Sequence, residues 1–199
     1  YAETASLELE FYLLPVPMRE VRLGRWSDLQ PASKDIHCYS ILEGHFWEPV
    51  VSKIRECFPT EVEACLPEWG QGQFEINLKH RADALLACDE AIFLKRAIKA
   101  IAENHGMIAS FMAKPFVDQA GSGTHIHVSV LDKDGNNIFA CTPEAPSETL
   151  RHGVAGLQQE IGLADNEHRR DRVHAARLPH QGQGLVEAPE RPALQGAGG

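Results

Sequence analysis

The stretch Gly121-Ser122-Gly123-Thr124-His125-Ile126-His127-Val128-Ser129-Val130 leaves the chain few ways to fold. The glycines permit a tight turn, and the β-branched run behind them favours a strand. Side chains two apart on a strand share a face, so His125, His127 and Ser129 look one way while Ile126, Val128 and Val130 look the other. The apolar face needs a packed layer behind it, and the polar face is left for chemistry. Histidine is a common metal ligand and is easily tuned as an acid or base near neutrality. A lone His-x-His strand is equally consistent with two hydrogen-bonded histidines on a half-exposed face, so other segments must decide.

Two of them present carboxylates. Ser6-Leu7-Glu8-Leu9-Glu10-Phe11-Tyr12-Leu13-Leu14 alternates and then turns apolar, the pattern of a strand entering a core, and Pro15 and Pro17 end it. Glu8 and Glu10 share a face and repel each other unless solvent or a cation lies between them. Val62 to Leu66 reads as a short strand. After it, Glu68 precedes and Glu75 follows a turn at Gly70-Gln71-Gly72, with Phe74, Ile76 and Leu78 facing in and Glu75, Asn77 and Lys79 out. The third glycine and the following helix of a dinucleotide-binding turn are missing.

Helices supply the backing layer. Ala82 to His105 is the longest periodic segment, with Leu85, Leu86, Asp89, Ile92, Phe93, Arg96, Ile98 and Ile101 dividing into two faces and Gly106 at the stop. His45 to Phe58 carries Phe46, Val50, Ile54 and Cys57 at helical spacing. Met18 to Ser40 reads as a long loop, and Met107 to Pro115 as a strand feeding the glycine turn. Asp132 to Asn137 is a hairpin turn, and Ser147 to Gln159 a helix capped by Ser147. These elements predict an α+β fold, an antiparallel sheet with packed helices.

Composition narrows the class. The 199 residues suffice for a core, and a net charge of -9 gives no footprint for nucleic acid and suits a chain that gathers divalent cations. No apolar run approaches the ~18 residues of a membrane span. Five widely spaced cysteines point to reduced thiols and a cytoplasmic setting. The chain opens on Tyr1 with no leader, which reads as a piece of something longer. From Ala140 onward Phe, Tyr and Trp are absent, and the end is Gly-Ala-Gly-Gly. We therefore expect a partial catalytic domain over 1–159 and a divergent, poorly ordered tail over 160–199.

Four carboxylates and one or two imidazoles suit Mg²⁺ or Mn²⁺ better than zinc, and so many acids suggest two ions of the kind that handle phosphoryl groups. In their order along the chain, Glu8-x-Glu10-Phe11, Glu63-x4-Glu68-Trp-Gly-Gln-Gly-Gln73-Phe-Glu75, Phe111-Met-Ala-Lys114-Pro115 and Gly121-Ser-Gly-Thr-His125-x-His127-x-Ser129 resemble the catalytic domain of the glutamine synthetase family. The resemblance runs from about Ser6 to Gln159 and implies that fold, in incomplete form. It makes Glu10, Glu68 and Glu75 ligands of one metal, and Glu8 and His125 ligands of another. Gly121 would lie along bound glutamate, and His127, the catalytic residue, would face the phosphate and carboxylate being joined. Glu63, His80 and Ser129 would contact ATP.

The implied reaction is an ATP-dependent ligation: the glutamate γ-carboxylate is phosphorylated and an amine displaces the phosphate from γ-glutamyl phosphate. The implied cofactors are ATP and two or more Mg²⁺ or Mn²⁺ ions. The implied partners are glutamate and an amine or ammonia, within a ring-forming homo-oligomer and with neither nucleic acid nor membrane. Where glutamine synthetases read Asn-Gly-Ser-Gly, this sequence has Ala120-Gly121-Ser122-Gly123, which is similar to the γ-glutamylpolyamine (γ-glutamylputrescine) synthetase branch. The family's later glutamate and arginine segments have no counterpart after Gln159, so this chain by itself is expected to be catalytically silent. Glutamine synthetase proper, with ammonia as the amine, and a non-catalytic domain of the same fold are the alternatives. A cupin or amidohydrolase would explain His-x-His without ATP but needs further histidines after strands.

Overall fold

The computed structural model describes residues 2–24, 29–35, 38–58, 61–141 and 147–164, with side chains as far as 159. Its frame is the strand β1, Ala2–Leu14. On one edge β1 pairs antiparallel with β3 (Gln73–Leu78), which pairs onward with β2 (Val62–Pro67). On its other edge β5 (Thr124–Leu131) lies along residues 2–9 and the three-residue β4 (Ile108–Ser110) along residues 12–14. The result is a five-stranded antiparallel sheet, as the alternation predicts.

One face of that sheet is the core. Leu7, Leu9, Phe11 and Leu13 of β1 and Phe74, Ile76 and Leu78 of β3 form one buried cluster with α3 (Glu48–Cys57) and α4 (Ala84–Asn104), helices numbered after α1 (Met18–Arg22) and α2 (Ile41–Phe46). Phe11 stacks on Phe74 and Phe111, with centroids 6.1 and 5.2 Å apart. Asp83 caps α4 by accepting the Leu86 N–H, and Gly106 ends it at φ +71°.

The long helix stands where its periodicity put it, and packing selects which of its two faces is buried. Ala87, Ala91, Leu94, Ile98 and Ala102 are buried, whereas Leu85, Ile92 and Phe93 are 79%, 64% and 62% exposed. The buried stripe sets Leu94 and Ile98 among three alanines, whose small side chains let the helix axis come close to the sheet. The helix expected over His45 to Phe58 is two helices broken at Trp47. Pro49 sits in the first turn of α3, where its missing N–H costs nothing, and would break a helix continuing from α2. Phe46 and Cys57 are accordingly exposed, and Val50, Val51 and Ile54 face the core.

Three further expectations need adjusting. The segment from Met18 to Ser40 contains the short helix α1, with Val21 buried. The strand expected over Met107 to Pro115 shrinks to Ile108–Ser110, because the chain leaves the sheet before Pro115. The Ser147-capped helix, α5, runs past Gln159 as Glu148–Ala164, with Ser147 Oγ accepting the Leu150 N–H at 3.0 Å. Residues 165–199 of the expected tail lie outside the described residues. Among the described residues, no helix is long and apolar enough to cross a membrane.

The choice of face on α4 is testable by urea unfolding. Leu94→Ala should destabilise by about 2–5 kcal/mol, and Ile92→Ala, on the opposite face, by less than about 0.5 kcal/mol. Equal losses at both positions would put the helix the wrong way round.

Candidate metal centre

The polar face of the sheet is built by register. Glu10 stands directly opposite Glu75, and Glu8 lies between Asn77 on β3 and His125 on β5. Ser6 pairs with His127, and Thr4 with Ser129. Like charges directly opposite on an antiparallel ladder repel, so the Glu10–Glu75 row needs positive charge nearby.

His125 supplies it. Its Nδ1 lies 2.8 Å from Glu8 Oε2 and 3.7 Å from Glu75 Oε2, and its Nε2 lies 3.8 Å from Glu10 Oε1. Glu75 and then Glu8 hold the imidazolium against the opposing effect of burial, and its pKa is pushed up to about 10. Burial pushes Glu8 up too, but the hydrogen bond from His125 and the closeness of His127 outweigh it and leave its carboxyl far below the usual range. Burial wins at Glu10 and Glu68, whose pKa values are raised despite N–H donors from Gly123 and Trp69. Four carboxylates therefore share one imidazolium, and two of them ionise reluctantly.

Donor geometry decides whether a cation fits. One ligand atom each from Glu8, Glu75 and His125 lies within 4.8 Å of the others, and Glu10 reaches the same imidazole. Two or more carboxylate oxygens with one ring nitrogen make a set for Mg²⁺ or Mn²⁺. Gly123 keeps the space open, because a Cβ there would stand 3.2 Å from His125 Nε2 and 3.3 Å from Glu10 Oε1. Glu68 belongs to the same field, acting on Tyr12 and Tyr39 and being acted on by Glu75, Glu10 and His125. Its backbone N–H donates to the Gln73 carbonyl at 2.8 Å and sets the turn that delivers it.

The remaining candidates form a second group along the strands. His127 Nε2 is 2.9 Å from Glu8 Oε1, close enough to pair as a charge but out of line for a hydrogen bond, so its ring nitrogen is unsatisfied. The His80 ring is 6.2 Å from that of His127 and its Nε2 is 3.5 Å from Ser6 Oγ. Burial lowers the His80 pKa, with His127 adding to the effect and Glu63 opposing it. Glu63 itself is exposed, where the β2–β3 register shifts between Val62 and Ala64. Ser129 is wholly buried with its Oγ unpartnered, opposite Thr4, whose Oγ1 is also unpartnered. Gly121 sits apart, its carbonyl accepting from Gln73 Nε2 at 3.0 Å.

Sequence reasoning missed four contributors. Asn77 donates to Glu8 Oε1 at 2.8 Å, and Gln73 donates to Glu10 Oε2 at 2.9 Å. Their parity with Glu75 on β3 was the available signal. Tyr12, whose hydroxyl donates to the Ala120 carbonyl at 2.7 Å, has its pKa pushed up to about 12 by burial and then by Glu10. It shares parity with Glu10. Tyr39 enters at φ 54°, its N–H bonded to the Pro67 carbonyl at 3.0 Å, and nothing in its flanking sequence signals that approach.

Residues 1–162 match the family described as glutamine synthetase, catalytic domain. The chain is 39% identical over 163 residues to a glutamate–isopropylamine ligase of Pseudomonas sp, covering 80% of this chain and 35% of that protein. It is 35% identical over 159 residues to the γ-glutamylputrescine synthetase of Escherichia coli strain K12, covering 76% and 34%. The ligand-free solved structure of GmaS aligns with a TM-score of 0.66 at 28% identity, covering 80% of this chain and 37% of that one. The chain thus spans only 34–35% of the length of these two curated relatives.

The state of His125 gives a pH dependence. A folded pKa of about 10 against an ordinary 6.5 means that its contribution is complete below pH 6.5 and vanishes as pH rises through 10. With chelator present, the urea midpoint should fall between those pH values for the unaltered chain and fall less for His125→Gln. Parallel curves would mean that the imidazolium does not hold the carboxylates together.

Proposed function

The chain belongs to the glutamine synthetase family, and we propose that the whole protein joins the γ-carboxylate of glutamate to an amine at the expense of ATP, through γ-glutamyl phosphate. The observation that carries this reading is the gathering of Glu8, Glu10, Glu75 and His125 on one face of the sheet, in a balance of charge that favours a cation. In this reading Glu10, Glu68 and Glu75 hold one divalent ion, and Glu8 with His125 holds a second. When bound, ions of the Mg²⁺ or Mn²⁺ class would screen the anionic oxygens of the nucleotide and of the carboxylate it phosphorylates.

The chain's own residues do the rest. Glu10 Oε2 is occupied by the Gly123 N–H and the Gln73 amide, at 3.0 and 2.9 Å, which leaves Oε1 for the ion. Asn77 similarly engages Glu8 Oε1 and turns Oε2 toward His125. His127, whose Nε2 has no hydrogen-bond partner, would face the phosphate and carboxylate being joined and donate to one of their oxygens. Gly121 would lie along glutamate. Glu63, His80 and Ser129 would face ATP, and His80, kept neutral by its burial, can stack on or hydrogen-bond a base without adding charge. The thiols of Cys38, Cys57, Cys65 and Cys88 are free, which suits a reducing, cytoplasmic setting. Exposed Leu85, Ile92 and Phe93 on α4 suit burial in a homo-oligomer, the ring-forming assembly we extend to the whole protein.

Phosphate release from ATP with glutamate and an amine tests the reaction in the whole protein. Glu75→Ala should cut kcat by about 100-fold or more, the scale on which loss of a charge-stabilising group acts. Turnover unchanged by Glu75→Ala would remove the metal centre from the reaction.

The acceptor amine is a finer proposal. Ala120 stands where glutamine synthetases carry Asn, and the relatives named for isopropylamine and putrescine match most of this chain. We therefore propose a primary alkyl amine or polyamine. At matched concentrations of the free base, putrescine or isopropylamine should give amide faster than ammonium does. Faster turnover with ammonium would return the assignment to glutamine synthetase proper, and a whole protein that binds neither Mn²⁺ nor ATP would be a non-catalytic relative.

A further inference from the structure

Gln73 is 1% exposed, and its carboxamide is engaged at both ends. Its oxygen accepts the Gly70 N–H at 2.8 Å. Its nitrogen donates to Glu10 Oε2 at 2.9 Å and to the Gly121 carbonyl at 3.0 Å, with Ser122 Oγ at 3.5 Å. A carboxamide has one acceptor and two N–H donors, so the Gly70 N–H decides which end is oxygen and thereby points both donors at Glu10 and Gly121. Gly70 can carry no side chain, since a Cβ there would stand 1.9 Å from Tyr12 Oη and 2.7 Å from Gln73 Oε1. One buried amide thus ties together three segments that are far apart in sequence: β1, the turn before β3, and the glycine loop before β5.

We propose that Gln73 is a positioning residue that couples the cation cluster to the glycine loop, turning Glu10 so that Oε1 faces the ion and holding the Gly121 carbonyl at a fixed distance from it. The proposal rests on the reading in which Glu10 binds a divalent ion and Gly121 lies along glutamate. Both ends draw on one planar group that cannot stretch, so an ion that orders Glu10 also orders the loop. The bond to a carboxylate is the stronger of the two and sets the register.

The test compares the whole protein with Gln73→Met, which keeps the length and loses both donors, and with Glu10→Gln and Leu94→Ala. Mn²⁺ affinity is read by calorimetry, and KM is read separately for glutamate and ATP. Gln73→Met should weaken Mn²⁺ about tenfold and raise the glutamate KM by a similar factor, while the ATP KM moves less than about twofold. Leu94→Ala loses packing on the core face of α4 but no contact with the cluster or the glycine loop, so it should lower the melting temperature and leave Mn²⁺ affinity unchanged. If Gln73→Met does not fold, deuterium exchange on the unaltered protein decides, with slower exchange at the Gly121–Gly123 amides expected when Mg²⁺ is added. No Mn²⁺ binding by the unaltered protein, or no weakening by Glu10→Gln, overturns the metal reading and this proposal with it. If both behave as expected, the coupling alone is overturned by Gln73→Met binding Mn²⁺ and glutamate normally, by loss confined to its melting temperature, or by unchanged exchange with Mg²⁺.

Discussion

Glu10 and Glu75 face each other across an antiparallel ladder, a placement in which two carboxylates repel. The repulsion is contained by His125, by hydrogen bonds from Gln73 and Gly123 to Glu10, and by a backbone register that neither residue can leave. The register in turn depends on the other face of the same strands. Leu9 and Ile76 pair beside the carboxylates and point into the core, so a slip of one residue would expose a run of large apolar side chains.

Stability and chemistry are therefore divided between the two sides of one sheet. The α3 and α4 face contributes the apolar burial, of the order of 1.5–3 kcal/mol for each large side chain removed from water. The other face gathers charge that a chain selected for stability alone would not keep together. Among its buried polar atoms in the described residues, Thr4 Oγ1, Asn77 Oδ1, His127 Nε2 and Ser129 Oγ have no hydrogen-bond partner. Buried groups left unsatisfied cost free energy, so this row of atoms along one face is a cost that the apolar face of the sheet must offset.

What could be read from the sequence was what period-two alternation encodes. Glu8 and Glu10, Glu75, and His125 and His127 announce their face by parity alone, so the sheet and the convergence of these side chains follow from local pattern. Gln73 and Asn77 carry the same parity, yet their roles depend on which residue lies opposite, and register between distant segments is a tertiary property. Periodicity divided α4 into two faces without choosing between them, because the choice depends on close packing against the sheet, which Ala87, Ala91 and Ala102 provide beside Leu94 and Ile98. The break at Trp47 was signalled by Pro49, which the helical spacing of Phe46 and Val50 obscured. Nothing local could have brought Tyr39 to Pro67 or Tyr12 to Ala120, since both contacts join segments that meet only in the folded chain.

The two strands on the outer edge of β1 leave an interval between them, and that interval coincides with the metal centre. β5 ends its pairing at Leu9 and β4 begins at Tyr12, so the backbone of Glu10 lies beyond both ladders. Gly123 fills the gap, its carbonyl accepting the Glu10 N–H at 3.2 Å while its own N–H donates to the Glu10 carboxylate at 3.0 Å. The same residue thus receives the glycine loop through its backbone and the cluster's charge through its side chain. A side chain at Gly123 would press on both His125 and Glu10, so the turn, the gap in the sheet and the cation cluster constrain one another and are satisfied together by glycine at that position.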